Sequence, residues 1–152
     1  YCKHKNPMYK KKSINKYTSE GRQEIHKKLG VNSSMIQYML RNPVMNRSIE
    51  YNDNRISLYS GQQGKCFVTK AELTMDNMHC HHKIPLHKGG TDEYANLVLV
   101  TEDVHVLIHA ESEEVILKKI KLIRPDEKMR KKIDTLRRKA EISKIIWESY
   151  TF

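Results

Sequence analysis

The sequence predicts an α+β fold: a small unit of two strands and a helix, with mainly helical flanks on both sides. Three observations predict it. Met78 to Ile84 and Asn96 to Val100 read as strands, and the Pro85 to Ala95 segment between them carries Gly89 and Gly90, the mark of a loop. Thr101 stands where a helix cap belongs, with Glu102 and Asp103 in the first turn, where the helix dipole favours negative charge. Val115, Ile116, Ile120 and Ile123, and after Pro125 the set Met129, Ile133, Leu136, Ala140 and Ile146, recur at helical spacing.

The remaining elements lie upstream. Lys10, Lys11, Lys12 and Lys16 sit in a polar stretch expected to be extended. A short helix is predicted from Ser19 to Leu29, closed by Gly30. Another is predicted from Ser34 to Leu40, where Ser34 and Gln37 have capping-box spacing and Pro43 blocks continuation. Arg55 to Leu58 is read as a brief strand before a Ser60-Gly61 turn. The expected organisation is a basic binding or linker segment over 1–54, a core over 55–123, and a C-terminal helix over 124–152 packed on that core.

The chain has 152 residues, enough for one compact domain and a flanking segment but not for two full domains. The longest unbroken apolar run, Leu97 to Val100, is far too short to cross a bilayer, so no membrane partner is expected. The start, Tyr1-Cys2-Lys3-His4-Lys5, does not look like a secretory signal and suggests a piece of a longer protein. Three cysteines, Cys2, Cys66 and Cys80, are too few for a disulfide scaffold and fit a reducing compartment. The expectation is a cytoplasmic, nucleoid-associated protein.

Lys plus Arg total 28 against 18 Asp plus Glu, a net charge of +10 that favours a polyanionic partner through counterion release. The charge is unevenly spread. Residues 1–60 carry 12 basic and 4 acidic side chains, residues 61–110 carry 4 and 6, and residues 111–152 carry 12 and 8. The near-neutral middle holds six of the eight histidines, so binding and chemistry are expected to divide along the chain.

The middle contains Cys80-His81-His82-Lys83-Ile84-Pro85, Gly89-Gly90-Thr91-Asp92, Asn96-Leu97, His105 and His109. Four residues apart on a helix, His105 and His109 share a face and can present two imidazoles to one cation. A third can come from the preceding strand. Neighbouring strand residues point to opposite faces, so His81 and His82 cannot both be ligands. One can hold a cation while the other, metal-free, takes a proton from water. Phosphodiester cleavage needs both a base and a cation that offsets charge on the phosphate and leaving oxygen.

These residues resemble the HNH nuclease motif, the metal-containing ββα fold also called a His-Me finger. The resemblance covers roughly residues 79–110. It implies a ββα-metal core in which His82 is the general base, His81, His105 and His109 hold the metal, and Asn96 braces the loop that orients the base. The runs Asn15-Lys16-Tyr17-Thr18, Glu20-Gly21-Arg22, Asp53 to Tyr59 and Gly90 to Leu97 also resemble the C-terminal part of bacterial group II intron-encoded reverse transcriptase/maturases. That implies a strand-nicking DNA endonuclease that supplies the primer for target-primed reverse transcription, with double-stranded DNA as target and intron RNA as a partner of the full-length protein. A free-standing homing or restriction-type HNH nuclease and a non-catalytic zinc-knuckle nucleic-acid-binding module are the alternatives.

The sequence departs from the family in one respect. Nucleases of this kind often carry two cysteine pairs for a structural zinc, but the first pair here is Cys66-Phe67-Val68-Thr69, so four cysteines cannot close a site. Cys66 and Cys80, with His79, are a candidate vestigial zinc site, and two buried thiols are the plainer reading. Lys83 and Lys88, flanking the loop, and Lys10, Lys11 and Lys12 are the DNA-contact candidates. The two C-terminal helices are read as scaffold, with Lys118, Lys119, Lys131 and Lys132 outward. Three imidazoles favour transition ions, but many relatives use Mg²⁺, so Mg²⁺ is expected first, with Mn²⁺ or Zn²⁺ binding more tightly.

Overall fold

A computed structural model describes residues 32–150. The predicted 19–29 helix and the Lys10-Lys11-Lys12 run lie outside these residues. Helix α1 spans Ser33–Arg41 and buries Ile36 and Met39. Its cap is Asn32 rather than Ser34: the Asn32 carboxamide oxygen accepts from the backbone N–H of Ser34 at 2.9 Å and of Met35 at 3.3 Å. Asn32 already fills the capping position, so Ser34 lies inside the first turn.

The predicted strand at Arg55–Leu58 is instead the middle of helix α2, Ile49–Gly61. Ser48 caps it by accepting from Tyr51 N–H at 2.9 Å. The buried face is Tyr51, Arg55, Leu58 and Tyr59, a helical repeat that a charged member hides from apolar pattern reading. Strands β1, Met78–His82, and β2, Leu97–Thr101, pair antiparallel with Met78 opposite Thr101, Cys80 opposite Leu99 and His82 opposite Leu97. The first stops two residues before its predicted end because the Asn96 side chain takes over the pairing at Ile84, as described below, and the second is displaced by one residue from the predicted Asn96 to Val100.

Strand β2 is buried throughout. On its far edge the Gln62 side chain mimics a paired strand, donating to Leu99 O at 2.9 Å and accepting from Leu99 N–H at 3.0 Å. Phe67 N–H donates to the same carbonyl at 3.1 Å. The backbone groups of a buried edge are thereby satisfied without a third strand.

Helix α3, Glu102–His109, follows β2 directly; Thr101 occupies the cap position, but its side chain makes no cap hydrogen bond. Helices α4, Glu113–Ile123, and α5, Glu127–Lys139, pack on α3. Helix α5 stops before Ile146, because the chain turns at Ala140 and at Glu141, whose φ is 60°. Ile146 is therefore exposed, and Ile145 and Trp147 are the buried residues of that segment. The indole N–H of Trp147 donates to Asp134 at 2.9 Å. One apolar cluster runs from Ile36 through β2 and α3 to Trp147, and α2 crosses the expected 54/55 boundary. Among the described residues no helix is long and apolar enough to cross a membrane.

Candidate active site

The two faces of β1 have different neighbours. His79 and His81 face α3; Cys80 and His82 face α2. The His79 ring stacks on His105 at 4.9 Å between centroids, and the His81 ring meets His105 at 5.4 Å and His109 at 5.1 Å edge-on. His105 and His109 lie one turn apart on α3, with rings 4.6 Å apart. Ring nitrogens of His81, His105 and His109 all lie within 4.8 Å of one another, and among the described residues this is the one group of three or more His, Cys, Asp or Glu able to hold a metal ion.

Burial, first, and mutual repulsion, second, push the His81 imidazole down to about 3. His105 is pushed down to about 4 by burial and by His109 and His79 beside it. His109 is lowered by burial and then by the charge of Arg137. All three are neutral at physiological pH, each with one lone pair, and His81 Nδ1 and His109 Nε2 lie 3.3 Å apart, where one donates to the other until a cation takes the proton's place. His81 Nε2 is buried and has no hydrogen-bond partner. It is His81 Nδ1 that faces the cluster, so Nδ1 is the nitrogen His81 offers there. The donor set thus fits a divalent cation, and three imidazoles suit transition ions better than Mg²⁺.

On the other face His82 Nε2 lies 2.8 Å from Asp92 Oδ1. Asp92 is itself anchored: its Oδ2 accepts from the Ser48 hydroxyl at 2.7 Å, and its backbone carbonyl accepts from the Asn54 amide at 2.8 Å. These hydrogen bonds hold the Asp92 carboxyl below its ordinary value, His82 contributing most and Ser48 next. A carboxylate facing Nε2 requires the proton there, leaving Nδ1 with its lone pair. The His82 ring also stacks on Tyr51 at 5.7 Å and 18°, and the Arg47 guanidinium sits 5.2 Å above the same phenol. His82 and the three clustered histidines line one cavity of about 390 Å³, whose α2 side also presents Arg47 and Arg55.

Asn96 acts on the backbone. Its amide oxygen accepts from Ile84 N–H at 2.9 Å, while its NH₂ group donates to Ile84 O at 3.1 Å and Thr91 O at 2.8 Å. One side chain pins both ends of the loop that carries Asp92. Gly90 is required in that loop: a Cβ there would meet the Ile84 carbonyl oxygen at 1.8 Å.

Other candidates are placed differently. Cys66 is fully buried in the turn closed by the Lys65–Glu72 bridge. Cys80 hydrogen-bonds the Tyr51 hydroxyl, and burial pushes its thiol up to about 11, so it stays protonated. His79, on the opposite face of β1, cannot join it, and no three-ligand group among the described residues contains either cysteine. The Lys88 ammonium donates to Ala140 O at 2.9 Å and pairs with Glu141 at 3.2 Å, tying the loop to the end of α5. His87 is exposed.

Sequence reading did not assign roles to Asp92, Ser48, Tyr51 or Arg137. Arg137 is almost fully buried and donates to Leu107 O at 2.8 Å, Ile108 O at 3.3 Å, Ala110 O at 2.7 Å and Ser143 O at 2.8 Å. It caps the end of α3 beside His109. Asp92 had a signal, since it closes the Gly89-Gly90-Thr91-Asp92 run; Arg137 had none, because it reads as one of several basic residues at the end of a helix.

A strand pair, a pinned loop and a helix carrying two histidines against a third define a ββα-metal site. Consistent with that geometry, a family model described as HNH endonuclease matches residues 65–111. No curated protein and no solved structure matches the chain. The chain therefore contains an HNH domain over that stretch, with helices packed before and after it.

Proposed function

We propose that this protein is a metal-dependent DNA endonuclease in which His82 is the general base. The observation that carries this reading is the division of labour across β1: three neutral imidazoles with converging nitrogens on one face, and on the other a single imidazole held by a carboxylate and opening on the same cavity. A divalent ion bound by His81, His105 and His109 would supply positive charge to offset that on the scissile phosphate and the departing oxygen.

The chain's own groups supply the rest. His82 takes a proton from water at Nδ1 while Asp92 keeps the Nε2 proton in place and stabilises the imidazolium that forms. Water oxygen bonds to phosphorus as the bond to the 3′ oxygen breaks, and that oxygen is protonated from solvent. Tyr51 fixes the plane of the imidazole, and Asn96 holds the loop so that Asp92 stays in register with it. Arg47 and Arg55 line the facing wall and favour an anionic substrate.

The finer reading is that this is the strand-nicking domain of a group II intron-encoded protein, with double-stranded DNA as target, intron RNA as partner, and Mg²⁺ as the first expected ion. The sequence runs quoted above support it. A reverse-transcriptase domain upstream in the intact reading frame would sustain that reading; its absence would favour a free-standing nuclease.

The catalytic reading is tested by His82→Ala on a nicked-plasmid assay. Metal-dependent nicking should fall by at least about 100-fold, with bound metal and melting temperature nearly unchanged. Retained nicking, or a collapse of the melting temperature, would remove His82 from the base role.

A further inference from the structure

A second cavity, of about 360 Å³, lies away from the histidines and is lined by Phe67, Lys83, Lys131, Lys132, Thr135 and Lys139. Four lysines contribute to its wall and no carboxylate lines it. We propose that this groove is a binding site for the phosphodiester backbone of the DNA strand as it leaves the catalytic cavity.

Lys132 is fixed there, donating to Phe67 O at 3.0 Å with its ammonium 4.8 Å above the Phe67 ring. Lys131 pairs with Glu127 at 3.3 Å, but both side chains are largely exposed and such a pair is weak. The Lys83 and Lys139 side chains make no hydrogen bond or ion pair with another described residue. Lys83 and Lys139 therefore repel one another, and a bound anion relieves that repulsion.

The character of the anion follows from the donors. The wall has no guanidinium fork to grip one phosphate bidentately; lysines are mobile point charges suited to a series of phosphates. On α5, Lys131, Thr135 and Lys139 recur every four residues, so they form a row rather than a cup. Lys83 directly follows His82 in the chain and its charge meets that of Lys139, which joins the row to the segment that carries the proposed general base. The helix expected to be only scaffold thus carries a phosphate track. Identifying the polyanion as DNA rests on the nuclease reading; the track itself does not.

The test is binding of a fluorescent DNA duplex by anisotropy across a salt series in EDTA, where cleavage does not enter. For the double variant Lys131→Ala/Lys139→Ala the slope of log affinity against log salt should flatten by about 2, with affinity at moderate salt falling roughly tenfold or more. The control Lys118→Ala/Lys144→Ala, with the same charge loss elsewhere, should change the slope by less than 1. An unchanged slope in the α5 variant, an equal loss in the control, or tenfold tighter binding of single-stranded RNA than of the duplex would overturn the proposal. If the wild type never nicks DNA with Mg²⁺ or Mn²⁺ while the α5 variant still flattens the slope, the nuclease reading fails and the track stands.

Discussion

At the scale of single residues, the pairing of His82 with Asp92 at 2.8 Å determines which nitrogen of the imidazole is basic. Replacing Asp92 with Asn keeps the shape but lets the ring bind in either tautomer and removes the charge that stabilises the imidazolium. Asp92→Asn should therefore lower kcat by roughly 100-fold or more, with KM for the duplex and the bound metal little altered. Steady-state nicking kinetics beside a metal titration check this; a change confined to KM would make Asp92 a substrate contact. Asn96 acts through the main chain. Its three hydrogen bonds engage Ile84 and Thr91, none of them the imidazole, so it is a positioning residue.

At the scale of elements, the precision of the metal site depends on the end of α3. The last carbonyls of a helix lack partners within it, and here Arg137 from α5 satisfies those of Leu107 and Ile108 with one buried guanidinium. Arg137→Met would leave them unsatisfied in the interior. It should cost about 3 kcal/mol and lower the melting temperature by roughly 10 °C. Metal affinity should fall with it, because His109 is on that last turn. Calorimetric melting and a competitive metal titration measure the two effects. Unchanged affinity in a destabilised variant would show that Arg137 supports the fold alone. Helix α2 has a comparable role on the opposite side, bringing Ser48, Tyr51 and Asn54 to the Asp92–His82 pair.

For the whole molecule, three imidazoles kept neutral by burial make stability depend on pH. In the unfolded chain histidines titrate near 6.5, whereas His105 and His81 are pushed down to about 4 and about 3. Below pH 6.5 the unfolded state binds protons that the folded state refuses. The stabilisation is present above the unfolded value and is lost as pH falls toward the folded ones. The melting temperature of metal-free protein should drop steadily from pH 7 to pH 4. The variant His81→Phe/His105→Phe/His109→Phe should show a flatter profile over the same interval. Adding Mn²⁺ or Zn²⁺ should raise the melting temperature at pH 7 and do so less at pH 5, where protons compete for the same nitrogens. A metal effect independent of pH would place the ion elsewhere.

Local pattern alone was enough for the strand, loop, strand, helix order and for the shared face of His105 and His109, because spacing of two or four residues is set by backbone geometry within one element. Composition likewise pointed to a polyanion, since net charge is a sum over the chain. Other features required tertiary packing. Arg55 to Leu58 became helical because Tyr51, Arg55, Leu58 and Tyr59 share a buried side, a choice made by what packs there. The Asp92–His82 pair, the Arg137 cap and the meeting of Lys83 and Phe67 with the α5 lysines join residues whose separation along the chain carries no periodic signal. Their partners are set by how α2 and α5 dock on the sheet and on α3, so the chemistry of single residues was readable in order, whereas its arrangement became determinate only when burial brought distant charges together.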